Sequence, residues 1–222
     1  MKRVEMPSPN HDDRGGAVTD MLVLHYTGME NARAALDRLC DAGAKVSAHY
    51  TVDEDGTVYA HVPEDRRAWH AGVSFWAGAT DINARSIGIE LVNRGHEFGY
   101  RDFPDDQIQA LITLCHGILL RNPIPPARVL GHSDVAPARK EDPGELFPWA
   151  RLAQAGIGLW PQCVAAGGLK ADMLSRYGYD PNASLDKVIT AFQRHFRPKR
   201  MDGQWDGECA GLLASLLTAP GV

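Results

Sequence analysis

The chain has 222 residues, enough for one sizeable core or for one domain with a small appendage, and its 44% hydrophobic and 23% charged content is that of a globular protein, not a disordered one. Lys and Arg number 23 against 28 Asp and Glu, a formal net charge of −5, which argues against nucleic acid as a partner. No apolar run approaches the roughly 18 residues of a membrane-spanning helix, and the opening EMPSPNHDDRGG lacks the apolar stretch and cleavage site of a secretion leader, so a cytoplasmic protein with no integral membrane segment is expected.

Residues 19–24, TDMLVL, form a short apolar run that ends in His25-Tyr26-Thr27-Gly28, the pattern of a buried strand running into a loop. Ala32, Leu36, Leu39 and Cys40 then recur at helical spacing, with Gly43 as the stop. Residues 49–62 alternate apolar and polar positions on both sides of Asp55-Gly56, a hairpin signal. SIGIELV, residues 86–92, reads as a further strand and carries a lone carboxylate, Glu90. Pro104 and Asp105-Asp106 open an amphipathic helix with Ile108, Leu111, Ile112, Cys115, Ile118 and Leu119 on one face, closed by Asn122-Pro123. Residues 128–131 form a short strand that delivers His132 to a proline-punctuated loop, and residues 149–155 make a helix ending at Gly156. Strands alternating with helices around one hairpin define the class as α/β, a mixed central sheet flanked by helices.

Near residue 161 the texture changes to three short helices, a small bundle that holds little core alone and is expected to pack on the larger part. The division is therefore 1–160 and 161–222. The four cysteines, Cys40, Cys115, Cys163 and Cys209, lie far apart with no C-x-x-C pair, as free, mostly buried thiols of a reducing compartment would.

Three places carry chemistry. His25 stands where an apolar strand runs out, and His132 is followed by Lys140 and Asp142 on a rigid loop. Two imidazoles and one carboxylate give three N/O ligands with a fourth position open for water, the donor set of a catalytic zinc ion; His25 taken alone reads better as a hydrogen-bonded core residue, while His132 with Lys140 and Asp142 is the stronger signal. Glu90, desolvated in an apolar strand, suits a base beside such a water, or else points outward on an alternating strand. Lys140 offers positive charge to an oxyanion, or else pairs with Glu141 or Asp142 at the surface.

HYTG at 25–28, SAHY at 47–50, AWHAGVSFW at 68–76, SIGIEL at 86–91 and GHSDVAPARKEDPGELFPW at 131–149 together resemble the zinc-dependent N-acetylmuramoyl-L-alanine amidases of the AmpD and AmiD type, relatives of T7-type lysozymes and peptidoglycan recognition proteins. The likeness runs over roughly residues 7–160. It implies one zinc bound by His25, His132 and Asp142, Glu90 as base and Lys140 assisting the oxyanion. It also implies hydrolysis of the amide between N-acetylmuramic acid, or its anhydro form, and L-alanine of the stem peptide, in cell-wall recycling. The phage relatives carry a catalytic tyrosine where this chain has Ala48, and a cysteine ligand where it has Asp142; the first departure shifts the role of base onto Glu90. Trp69 and His70 of the WHAG stretch are expected to line the substrate groove, and Arg85 to meet a stem-peptide carboxylate in a bidentate pair. The C-terminal helices resemble a small peptidoglycan-binding module. The rival reading is a non-catalytic peptidoglycan-binding protein, whose expected mark, a replaced metal ligand, is missing; a zinc peptidase acting on unrelated peptides would share the metal chemistry.

Overall fold

The structure, a computed structural model, describes residues 2–165 and 168–219. Its frame is a six-stranded sheet in the order β1-β5-β4-β7-β3-β8. These strands are β1 (Arg3–Glu5), β3 (Met21–Tyr26), β4 (Tyr50–Val52), β5 (Val58–Ala60), β7 (Ser86–Leu91) and β8 (Val129–Gly131). Strands β4, β7, β3 and β8 run parallel, β5 is antiparallel to β4, and β1 follows β5 in parallel. A separate ribbon pairs β2 (His11–Asp13) with β6 (Arg66–Ala68).

Side chains of a strand alternate between faces. On β3, Leu22 and Leu24 join the core beneath the long helix α4 (Asp105–Arg121), while Met21 and Val23 join a second core on the opposite face. On β7 the same rule sends Ile87, Ile89 and Leu91 into the first core and leaves Ser86, Gly88 and Glu90 on the other face. Helix α4 lays Ile108, Leu111, Cys115 and Ile118 on the sheet, with Ile112 and Leu119 half-buried at its flanks. Helix α6 (Trp149–Gln154) adds Trp149 and Leu152 to that layer.

The second core is shared between the two parts of the chain. Met21, Val23, Trp76, Ile82 and Leu130 pack with residues of α7 (Leu174–Tyr177), α8 (Leu185–Phe196) and α9 (Gly207–Leu216). The Trp76 indole meets the rings of Tyr177 and Tyr179 edge-on, at centroid separations of 5.5 and 4.9 Å. Gly178 lies between those tyrosines with φ 142°, and a Cβ there would stand 2.5 Å from the indole, so only glycine admits the contact. The C-terminal helices thus form one covering layer of the sheet.

All four cysteines are free, as expected, but only Cys115 and Cys209 are buried; Cys40 is half-buried and Cys163 exposed. Among the described residues no helix is long and apolar enough to cross a membrane.

Candidate metal centre and active site

The parallel strands end together at one edge of the sheet, where loops leave room for a ligand. His25 is the fifth residue of β3 and pairs in register with Glu90 of β7, so the two share a face and an edge. His132 follows Gly131, at the end of β8, and opens the short helix α5 (His132–Val135). The loop after α5 returns Asp142, whose carbonyl accepts from the Ser133 N–H at 2.9 Å. These residues and Lys140 line one cavity of about 670 Å³, together with Tyr26, Arg38, His96, Arg139 and Glu141.

Three atoms converge there. His25 Nδ1 lies 2.9 Å from His132 Nδ1, and each lies 3.0 Å from Asp142 Oδ2. The outer hydrogen bonds decide where the protons are. His132 Nε2 faces the Ala71 carbonyl at 3.0 Å and must donate, so in the neutral ring Nδ1 holds a lone pair. His25 Nε2 faces His70 Nδ1 at 3.0 Å, and His70 Nε2 faces Ser86 Oγ at 3.1 Å. Ser86 spends its only proton on the Ile82 carbonyl, 2.6 Å away. The hydroxyl oxygen therefore accepts from His70, His70 Nδ1 accepts from His25, and His25 Nδ1 also holds a lone pair.

Three lone pairs thus face one point with no proton between them, an arrangement that a cation resolves. A tetrahedral zinc with bonds of roughly 2.0–2.1 Å has ligand atoms about 3.3 Å apart, close to the spacing here. Among the described residues His25, His132 and Asp142 are the one cluster with metal-ligand geometry, and all three are buried. Burial, then the neighbouring His132 charge, lowers the His25 pKa to about 4, which keeps the ring neutral as a ligand must be. Burial opposes charge on Asp142, but His132 and His25 outweigh it and hold the carboxyl well below the usual range.

Glu90 is half-buried on the cavity wall, and its Oε2 has no hydrogen-bond partner. Burial, then the Asp142 charge, pushes its pKa well above the ordinary carboxylate value, with Lys140 opposing. That raised proton affinity, beside a free oxygen on the cavity wall, is what a carboxylate that accepts a proton needs.

The residues expected to touch substrate are distributed otherwise. His70 borders the cavity but is 6% exposed, with both ring nitrogens engaged behind His25; its ring fits because β7 has glycine beneath it, and a Cβ on Gly88 would lie 2.4 Å from the imidazole. Trp69 is half-buried outside the cavity lining, anchored by its N–H on Ser47 Oγ at 2.9 Å. Arg85 stands at the opposite end of β7, some 16 Å along the strand from Glu90, where it and Arg128 pair with Asp20. A residue just before a strand lies at the strand's entry edge, so sequence adjacency to SIGIEL did not bring Arg85 to the site.

Arg139 was not foreseen. Its guanidinium donates to the Val73 carbonyl at 2.8 Å and to Ala71, the same carbonyl that orients His132. Its place beside Lys140 in the sequence was the available signal. On the opposite rim Tyr26 Oη lies 3.0 Å from His96 Nδ1, and His96 Nε2 meets Glu145 at 3.1 Å, contacts across 70 and 49 residues that no local pattern announces.

A mixed sheet that gathers two imidazoles, a carboxylate able to complete a metal site and an unpaired carboxylate at its edge has the donor set that a mononuclear metallohydrolase would need. Residues 15–145 match the family described as N-acetylmuramoyl-L-alanine amidase. The chain is 40% identical to the N-acetylmuramoyl-L-alanine amidase AmiD of Escherichia coli over 89% of its own length and 82% of the relative's. The structure of E. coli AmiD in complex with anhydro-N-acetylmuramic acid-L-Ala-D-gamma-Glu-L-Lys superposes with a TM-score of 0.82 at 39% identity, covering 91% of each chain. AmpDh3 from Pseudomonas aeruginosa gives 0.81 at 36% identity, over 94% of this chain and 93% of that one. The chain belongs to the N-acetylmuramoyl-L-alanine amidase family.

Proposed function

We propose that the chain hydrolyses the amide joining the lactyl group of N-acetylmuramic acid, or of its anhydro form, to L-alanine of the stem peptide, acting on peptidoglycan fragments in cell-wall recycling. The observation that carries the reading is the convergence of His25 Nδ1, His132 Nδ1 and Asp142 Oδ2 with no proton among them. Zinc is the ion this donor set suits, and when bound it supplies Lewis acidity that polarises the scissile carbonyl and acidifies water.

The remaining work falls to the chain's own groups. Glu90, with a free oxygen on the cavity wall and a raised proton affinity, takes a proton from the attacking water and returns it to the departing amine of L-alanine. The Lys140 ammonium, close enough for its charge to act on Glu90, stabilises the negative oxygen of the tetrahedral intermediate. His70 belongs to the support of His25, and Arg139 and Arg38 take the place of Arg85 as the cations available to a stem-peptide carboxylate.

The same reading assigns the chemistry to residues 1–160 and support of the site to residues 161–222. It places the enzyme in the cytoplasm, where four free thiols persist without oxidation, and fractionation against a periplasmic marker tests that part. For the activity, the zinc-loaded protein is incubated with anhydro-N-acetylmuramyl tripeptide and, separately, with intact sacculi, and the released peptide is read by mass spectrometry. Chelator-sensitive release of a peptide beginning at L-alanine is expected from the fragment. Binding of the fragment without release would overturn the reading in favour of a recognition protein.

A further inference from the structure

Asp134 plays no part in the chemistry above, yet it is among the most buried charged residues of the molecule, at 1% exposure. It lies two residues after the ligand His132, within α5, and three donors point at its carboxylate. Oδ2 accepts from the Gly131 N–H at 2.7 Å, immediately before His132. Oδ2 also accepts from His195 Nδ1–H at 2.7 Å, and Oδ1 from the Tyr179 hydroxyl at 2.7 Å. Two of the three donors therefore come from the C-terminal part of the chain, 61 and 45 residues along it: His195 lies on α8, and Tyr179 in the segment between α7 and α8. The His195 ring has no freedom to leave, being stacked on Trp149 at 3.8 Å and against Phe196 at 3.9 Å.

A buried carboxylate with a full set of donors fixes the backbone that carries it, whereas one stripped of donors must move toward water or be neutralised. We propose that Asp134, gripped by His195 and Tyr179, is a positioning group for His132, and that the C-terminal helices are thereby part of the scaffold of the metal centre. The mechanical path is short. Asp134 holds the Gly131 N–H, Gly131 leads directly into His132, and the next residue, Ser133, holds the Asp142 backbone. Releasing the carboxylate frees the turn that sets two of the three ligands. The inference rests on the metal reading above.

The test measures zinc dissociation constants by chelator competition, and the visible absorption of the cobalt-substituted protein, in full-length variants. His195→Leu is expected to weaken zinc about tenfold or more, in the range of losses of outer hydrogen bonds to metal ligands, and to shift the cobalt bands. His195→Asn, whose amide N–H can reach the same carboxylate oxygen, is expected to recover most of the affinity. Ile189→Val, in the same core but with no hydrogen-bonding group for Asp134, serves as the control for general loosening. If His195→Leu fails to fold, Tyr179→Phe, which removes one hydroxyl, carries the same test with a loss of about threefold. Unchanged affinity in the folded variants, or an equal loss in the Ile189→Val control at matched melting temperature, would overturn the proposal. A wild-type protein that binds no zinc would overturn the metal reading as well as this one.

Discussion

The role proposed for Glu90 rests on its position on β7. Three residues of that strand, Ser86, Gly88 and Glu90, share a face and do three different things: one terminates a hydrogen-bond chain, one makes room for an imidazole, and one presents a free carboxylate oxygen. Glu90→Gln keeps the size and loses the proton transfer, so kcat is expected to fall by about 10²–10⁴ with zinc content unchanged by metal analysis. His49 makes a prediction of another kind. It is fully buried, its Nδ1 accepts the Gly88 N–H at 3.0 Å, and burial, then the charge of Arg14, lowers its pKa to about 3. The folded ring is therefore neutral while the unfolded one gains a proton below its ordinary value of 6.5. Between about pH 6.5 and 3 the unfolded state binds the extra proton, so stability is complete above that window and falls as pH drops through it, at up to about 1.4 kcal/mol per pH unit. Urea unfolding at pH 7, 6, 5 and 4 should show this slope added to those of His25, His61 and His70, whose pKa values burial also lowers, and His49→Gln should reduce the total by the His49 share. At this scale the sequence was informative where a residue's placement follows from its position on a strand. His25 and Glu90 could be named because alternation and strand ends are local, whereas His96, Tyr26 and Arg139 reach the site through contacts that no local pattern encodes.

Elements show the same division. The strand through His25, the hairpin around Asp55-Gly56, the SIGIEL strand and the long helix after Pro104 were legible because each writes its period over enough residues to be read. The three-residue strands β1, β2 and β6 were not. Each is polar or half-buried, and each pairs with a partner some 55 positions away, so what makes it a strand is the register of the pair. Helix α5 is four residues long and gave no periodicity either, although it carries His132. A prediction belongs here: Gly88→Ala puts a methyl group into the His70 ring. The expected result is a stability loss of about 1–3 kcal/mol together with weaker zinc binding, because the imidazole that accepts from His25 must shift. Ser86→Ala, which removes only the terminal acceptor of that chain, should weaken zinc with a smaller loss of stability; denaturant unfolding and chelator competition on both variants separate the two effects.

At the scale of the whole molecule, the sheet is covered on one face by α4 and α6 and on the other by the site and the C-terminal helices. Sequence texture marked a boundary near residue 160, but the hydrophobic face that α8 and α9 cover lies in strands β3 and β8, far upstream. A chain ending at residue 160 would expose Met21, Val23, Trp76 and Leu130 as one contiguous apolar surface. It is expected to associate at micromolar concentration and to bind a hydrophobic dye, as gel filtration and dye fluorescence would show. If the chain holds zinc as proposed, the positions of His25, His132 and Asp142 have a further consequence, for folding kinetics. His25 is separated from His132 by 107 residues and from Asp142 by 117, so the ion can be grasped only after β3 and β8 have paired across most of the chain. Metal capture then falls on the native side of the folding barrier, and stabilisation gained there slows escape without hastening arrival. Stopped-flow traces should give the same refolding rate in zinc and in chelator, and an unfolding rate slower in zinc by the full factor of the equilibrium stabilisation; the ion acts as a latch on a house already built.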